Sequence, residues 1–248
     1  MTGASSGIGE VMAGMLADAG VATVAVARRA DRLASLAARH PGIEVLVADL
    51  ATGAGQAAVV DRITDAQHPL ELVVNNAGFG TSGDFHALDP HRLAQEIEVN
   101  VAALTRLSHA ALSVMQPRGR GWLLNVSSIA SFQPAPRLAV YAATKAFVTS
   151  LTESLHEEAR ASGVHVTALC PGPTHTEFQR VSNTERYSND YPSIAWTNID
   201  DVARTGLADV VANKALSVPG AQYKLLSALS NVTPRWLRRR ASAQVRRV

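Results

Sequence analysis

Tyr141 and Lys145 stand four apart in the run Tyr141-Ala142-Ala143-Thr144-Lys145. On a helix that spacing puts both side chains on one face. There a lysine ammonium can stabilise a phenolate and draw the tyrosine pKa down from its reference near 10. A tyrosine tuned in this way exchanges a proton with an alcohol or a carbonyl near neutral pH. With 4 tyrosines and only Lys145, Lys214 and Lys224 among the lysines, chance supplies about 4 × 3/248, or roughly 0.05, such pairs. Far upstream, Thr2-Gly3-Ala4-Ser5-Ser6-Gly7-Ile8-Gly9 carries glycines at a spacing that lets the backbone approach a pyrophosphate, with a helix N-terminus behind it. A proton relay joined to a dinucleotide site reads as hydride-transfer chemistry. Alone, the pair would read as an exposed helix face, and the remaining motifs decide between the two.

The elements that must position these groups follow from the pattern of the chain. Short apolar, β-branched runs at 21–27, 44–48, 70–74, 122–126 and 164–169 alternate with helix-period stretches such as 10–19, 91–115 and 141–161. In the second stretch Leu93, Ile97, Leu104, Leu107 and Ala111 repeat at three and four. This alternation predicts an α/β fold, a parallel sheet with helices on both faces. The composition agrees: 248 residues, 47% hydrophobic and 18% charged, hold enough apolar surface for a large core and exclude a disordered chain. Much of the basic excess behind the net charge of +2 lies in the tail at about 235–248, which reads as a solvated helix end and not as a surface for nucleic acid or membrane. The single cysteine, Cys170, excludes an internal disulfide and fits a reducing compartment. The histidines show no metal-ligand spacing, and no apolar stretch reaches the length of about 18 residues that a membrane span needs. A cytoplasmic protein with no metal and no membrane span is expected. A glycine turn of this kind follows a strand, yet only Met1 precedes Thr2. The first strand is therefore expected to be missing from the sheet, and the true start of translation to lie upstream of Met1.

Three further motifs close strands at the edge where such a sheet opens toward its ligand. They are Asn75-Asn76-Ala77-Gly78, Asn125-Val126-Ser127-Ser128 and Pro171-Gly172-Pro173-Thr174-His175-Thr176. With the glycine run and the Tyr141–Lys145 pair, in this order, they resemble the short-chain dehydrogenase/reductase family in its branch of roughly 250 residues, from residue 2 to about residue 225. The runs after Asn75 and Cys170 are similar to a bacterial subgroup. The resemblance implies a Rossmann-type doubly wound parallel sheet, one NAD(P)-binding domain over residues 1–248 and a tetrad of Asn100, Ser128, Tyr141 and Lys145. Tyr141 is then the acid–base and Lys145 the ligand of the cofactor ribose. Ser128 holds the reacting oxygen; Ser127 is its alternative, disfavoured by the thirteen-residue spacing from Ser128 to Tyr141. Asn100 anchors a water in the relay to Lys145.

For the cofactor, the resemblance implicates Gly3, Ser5, Ser6, Gly7, Ile8 and Gly9 around the phosphates. It places Asp49 and Leu50 at the adenine, and Asn76, Ala77 and Gly78 at the end of their strand. Pro171, Gly172, Thr174 and Thr176 fall near the nicotinamide. Where NAD-selective relatives carry an acidic residue, this chain has Ala27 followed by Arg28 and Arg29. A guanidinium suits a 2′-phosphate, so NADP(H) is expected over NAD(H), through either arginine. The loop at about 179–198 is expected to close over the nicotinamide. Phe79, Phe178, Tyr191 and Trp196 then either line an apolar pocket or pack the loop or a subunit contact. The first reading favours a medium-sized hydrophobic ketone, aldehyde or alcohol. The resemblance further implies a homodimer or homotetramer. The competing reading, a non-enzymatic NADP-binding sensor or scaffold, has no use for Tyr141 and Lys145.

Overall fold

A computed structural model describes residues 1–185 and 192–244. The five apolar runs form parallel strands β1 (Thr23–Ala27), β2 (Ile43–Val47), β3 (Leu72–Asn75), β4 (Gly121–Val126) and β5 (Val164–Leu169), and a short β6 (Leu216–Ser217) joins them. Every residue of β1 is buried, as expected of strands covered on both faces.

Helices α1 (Gly7–Asp18), α2 (Ala30–Arg39), α3 (Gly53–Thr64), α4 (Pro90–Ile97), α5 (Leu104–Arg118), α6 (Ala139–Ala159), α7 (Phe178–Val181), α8 (Ile199–Val211), α9 (Ala221–Val232) and α10 (Arg235–Gln244) connect and cover the strands. One apolar layer gathers Val59, Leu107, Met115, Leu123 and Val166, between the sheet and α3 and α5. A second gathers Met12, Val74, Leu124, Leu169, Val202 and Val210, between the sheet and α1 and α8. The fold is thus α/β and doubly wound.

The sheet is divided. β1 and β2 form a two-stranded sheet, while β3, β4, β5 and β6 form a four-stranded one in that order. Among the described residues no strand precedes α1, and the segment from Met1 to Ala4 spans the division. The Met1 ammonium donates to the Val24 carbonyl at 2.9 Å, and the Val26 N–H donates to the Met1 carbonyl at 2.9 Å. On the other side the Thr2 N–H donates to the Val74 carbonyl at 3.0 Å. Burial draws the Met1 amino group down to about 5, so it is mostly neutral at physiological pH.

The single helix expected over 91–115 is three pieces. Asp89 caps α4, accepting from the His91 N–H at 3.0 Å, with Pro90 opening the first turn. After Ile97 the chain widens into a π-helical turn, Glu98–Ala103, before α5 runs on to a left-handed Gly119. Such turns re-aim side chains and occur at functional sites. This one carries Asn100, whose amide contacts below give the local reason for the widening. The loop expected over 179–198 contains α7 and a 3₁₀ turn, Ser193–Ala195, and the expectation for Tyr191 lies outside the described residues. Among the described residues no helix is long and apolar enough to cross a membrane.

Candidate active site

A cavity of about 540 Å³ opens along the carboxyl ends of the strands, running from the glycine turn to α4 and α7. At one end Gly3 and Gly7 take left-handed φ angles of +67° and +61°. A Cβ on Gly3 would lie 2.7 Å from Asn76 Nδ2, so only glycine lets the turn meet the end of β3 there. The two are stitched together. Thr2 Oγ1 accepts from the N–H groups of Asn76 and Ala77 at 3.0 and 3.1 Å. Asn76 Nδ2 donates to the carbonyls of Thr2 and Gly3 at 3.0 and 3.3 Å. Gly3, Ser5, Ser6, Gly7 and Ile8 line the cavity at the N-terminus of α1, a site suited to phosphate. Gly9 does not line it; Gly9 sits behind the turn, where a Cβ would come within 2.6 Å of the Gly3 carbonyl oxygen.

The two arginines after β1 divide their work. Arg29 donates from Nε to Ser5 Oγ at 3.2 Å and from Nη2 to the Ser5 carbonyl at 3.2 Å, and pairs with Glu177 at 2.8 Å. The Arg29 hydrogen bond holds the Glu177 carboxyl below its usual range. Arg28 is exposed, lines the cavity and makes no hydrogen bond or ion pair among the described residues. Arg28, not Arg29, is the guanidinium open to a ligand. Asp49 and Leu50 border the same end, with Asp49 Oδ1 accepting from the Ala51 N–H at 3.0 Å.

Midway along the cavity Ser128, Tyr141 and Lys145 line the wall, with Asn100 buried behind it. Tyr141 and Lys145 rise from α6 with only 8% and 4% of their surfaces exposed. Ser128, two residues past β4, caps the 3₁₀ turn Ile129–Phe132 by accepting from the Ala130 N–H at 3.1 Å, and turns its hydroxyl toward the Tyr141 phenol. Ser127 is committed elsewhere: its hydroxyl bonds to the Lys145 carbonyl at 2.8 Å and to Thr149 at 2.7 Å. Asn100 Oδ1 accepts from the Phe79 N–H at 3.1 Å, while Nδ2 donates to the Phe79 carbonyl at 2.8 Å and to Thr144 Oγ1 at 3.1 Å. The missing side chain of Gly78 makes room for this meeting, since a Cβ there would stand 2.9 Å from Asn100 Oδ1 and 3.4 Å from Lys145 Nζ.

The electrostatics correct one expectation. Burial pushes the Tyr141 phenol up to about 12; the Ser128 hydroxyl pulls against that rise and the Glu96 carboxylate adds to it. Lys145 does not lower it. Its Nζ lies 5.8 Å from the Tyr141 ring centroid and donates to the Val126 carbonyl at 2.8 Å, and burial draws the ammonium itself down to about 8. The spacing in sequence puts the pair on one face, but desolvation outweighs the attraction it suggests.

At the far end Phe79 and Phe178 line the cavity with Trp196. Phe178 packs on Tyr141 with ring centroids 5.2 Å apart, and Trp196 stacks on His175 at 3.6 Å. Thr174 and Thr176 both line the cavity; Thr174 Oγ1 bonds to the Gly172 carbonyl at 3.0 Å and Thr197 Oγ1 at 2.9 Å, and Thr176 Oγ1, beside Gly7, accepts from the Phe178 N–H at 3.2 Å. Pro171 and Gly172 border the same stretch. Arg92, Gln95 and Val99, also in the wall, had no place in the motif reading. Their spacing ahead of Asn100, one helix face, was the available signal. Arg92 is engaged: it lies 4.1 Å over the Phe79 ring and donates to the Val181 carbonyl at 3.0 Å. Among the described residues no group of three His, Cys, Asp or Glu side chains could hold a metal ion.

Known proteins carry the same architecture. The chain is 30% identical to an acetoacetyl-CoA reductase of Paracoccus denitrificans over 82% of its own length and 86% of the relative's. Its fold superposes with a TM-score of 0.84 on a short-chain dehydrogenase from Sphingobium yanoikuyae in complex with NADPH, at 32% identity over 93% of this chain and 92% of the other. A bulky-bulky ketone specific alcohol dehydrogenase from Comamonas testosteroni matches with a TM-score of 0.79 and 27% identity, over 95% and 94% of the two chains. A family model described as short chain dehydrogenase matches residues 1–187. The chain is a member of the short-chain dehydrogenase family of oxidoreductases.

Proposed function

We propose that the chain is an NADP(H)-dependent carbonyl reductase of the cytoplasm, acting on medium-sized hydrophobic ketones or aldehydes. The observation that carries this reading is the buried Tyr141 phenol, held protonated and faced by Ser128 in the same cavity as a glycine turn and an unpaired Arg28. The cradle fits a dinucleotide: two left-handed glycines, the α1 N-terminus and an open guanidinium for a 2′-phosphate. The NADPH bound by the Sphingobium relative supports the same choice.

Bound NADPH supplies the hydride. Tyr141 hands its proton to the carbonyl oxygen, and Ser128 donates a hydrogen bond to that oxygen as negative charge develops on it. Lys145 holds the ribose hydroxyls, and Asn100, fixed by Phe79 and Thr144, positions the relay that returns a proton to Tyr141. Thr176 serves the nicotinamide amide. Phe79, Phe178 and Trp196 exclude water and set the apolar preference. The Arg92 charge is already taken up by the Phe79 ring and the Val181 carbonyl, which leaves this end mainly apolar. The buried lone thiol of Cys170 suits a reducing compartment. We extend the reading to one NAD(P)-binding domain that assembles as a homodimer or homotetramer.

The test is NADPH consumption against matched panels of aromatic ketones and aldehydes and of carboxylated or sulfonated aldehydes. Turnover favouring the apolar panel is expected. Turnover confined to the anionic panel would remove the substrate assignment, and none with either would remove the reductase.

A further inference from the structure

Glu96 is fully buried on α4, one helical turn before Asn100, and α4 packs against α6. Among the described residues the Thr81 hydroxyl is the one side-chain hydrogen-bonding group that approaches its carboxylate, and the pair is too far apart or too poorly aligned for a full bond. The buried hydroxyl of Ser82, on the loop after β3, has no hydrogen-bond partner among the described residues. A carboxylate so dry and so weakly hydrogen-bonded is costly, and such groups are kept where their charge is used. The charged and titratable groups that face it are few. Arg92 stands one turn earlier on α4, Lys145 and Tyr141 project from α6, and Thr81 approaches from the loop. Arg92 is drawn toward the Phe79 ring and the Val181 carbonyl. Arg92 exerts the stronger pull on Glu96, but it is half-buried; Lys145 is the fully buried cation that shares its site.

We propose that Glu96 is a positioning residue of the reaction: the buried counter-charge that keeps the Lys145 ammonium protonated and the Tyr141 phenol on its acid side while the cofactor is bound. The inference rests on the reductase reading and names what regulates that same site. The electrostatics run in the required direction. Burial raises the Glu96 carboxyl to about 7, so it ionises just below the range where Lys145, drawn down to about 8, would give up its proton. Ionised Glu96 raises both Lys145 and Tyr141. Carbonyl reduction needs both groups protonated, so removing Glu96 moves the loss of each to lower pH.

The experiment compares wild type with Glu96→Gln, an isosteric change that removes only the charge. NADPH affinity is measured by fluorescence titration across pH 6 to 9, which requires no substrate. In wild type the affinity weakens as Lys145 deprotonates; in Glu96→Gln that limb shifts to lower pH by about one unit. Glu96→Asp restores part of the shift. The alkaline limb of kcat/KM for the best carbonyl of the panel moves in the same direction. A purely structural role would lower thermal stability and leave both limbs in place, and coincident limbs overturn the proposal. Thermal unfolding supplies the independent check. A carboxyl raised from 4.5 to about 7 contributes stability below pH 4.5 that is lost as pH rises through 7. The melting temperature of Glu96→Gln therefore gains on wild type between pH 5 and 8, and a constant difference counts against the proposal. Should NADPH bind neither protein at any pH, the cofactor reading falls first and this one with it.

Discussion

The two ends of the cavity are built by opposite means. At the cofactor end the backbone does the shaping: left-handed Gly3 and Gly7, the α1 N-terminus, and Thr2 and Asn76 stitching the turn to β3. At the substrate end side chains do it, with Phe79, Arg92, Phe178 and Trp196 brought in from four separate segments. Backbone shape tolerates few residue types and so leaves a readable signature, whereas a side-chain wall can be made in many ways. Tyr141 stands at the boundary, where chemistry should separate from binding.

The largest effect expected is at that boundary. Tyr141→Phe should lower kcat/KM by about 10²–10⁴-fold, the usual worth of a positioned acid, while the NADPH dissociation constant stays nearly unchanged. Parallel loss of binding would erase the boundary. Next, Arg28→Ala removes one charge-assisted contact of about 1.5–3 kcal/mol, a ten- to hundredfold loss for NADPH with little change for NADH. Arg29→Ala should instead weaken both cofactors, because Arg29 braces the turn through Ser5 and Glu177. Titrations of each variant with both nucleotides separate the two roles. Gly3→Ala forces a left-handed alanine against Asn76, a cost of about 1–2 kcal/mol or more that denaturant unfolding should read. Smallest is Phe178→Ala at the substrate end. A severalfold rise in KM for apolar ketones is expected with little change in NADPH affinity, and an equal rise for anionic aldehydes would argue that Phe178 only packs the loop.

Much of this was legible in the chain. The strand runs are near-continuous apolar segments, as parallel strands covered on both faces are, β2 with its exposed Val45 and Val47 excepted, and the structure returns each of them close to its expected limits. Parts of the glycine turn and of each strand-end motif line one cavity with Ser128, Tyr141 and Lys145, while Asn100 is buried behind its wall. What stayed hidden depended on three-dimensional packing. The π turn at Asn100 interrupts an apolar period that reads as one helix. The split between Arg28 and Arg29 is set by Glu177, distant in sequence. The rise of the Tyr141 pKa is set by burial, which four-residue spacing cannot report. Glu96 sits in the sequence among ordinary helix charges, and only packing makes its surroundings dry.

The most direct test of a preformed, NADPH-selective cofactor end is thermal unfolding of the chain with NADPH, with NADH and with neither. A ligand at a hundred times its dissociation constant adds about 2.7 kcal/mol, a rise of a few degrees for a protein of this size. The account predicts that rise with NADPH and a much smaller one with NADH at equal concentration. An equal rise with both, or a larger one with NADH, would contradict the role given to Arg28 and the cofactor reading built on it.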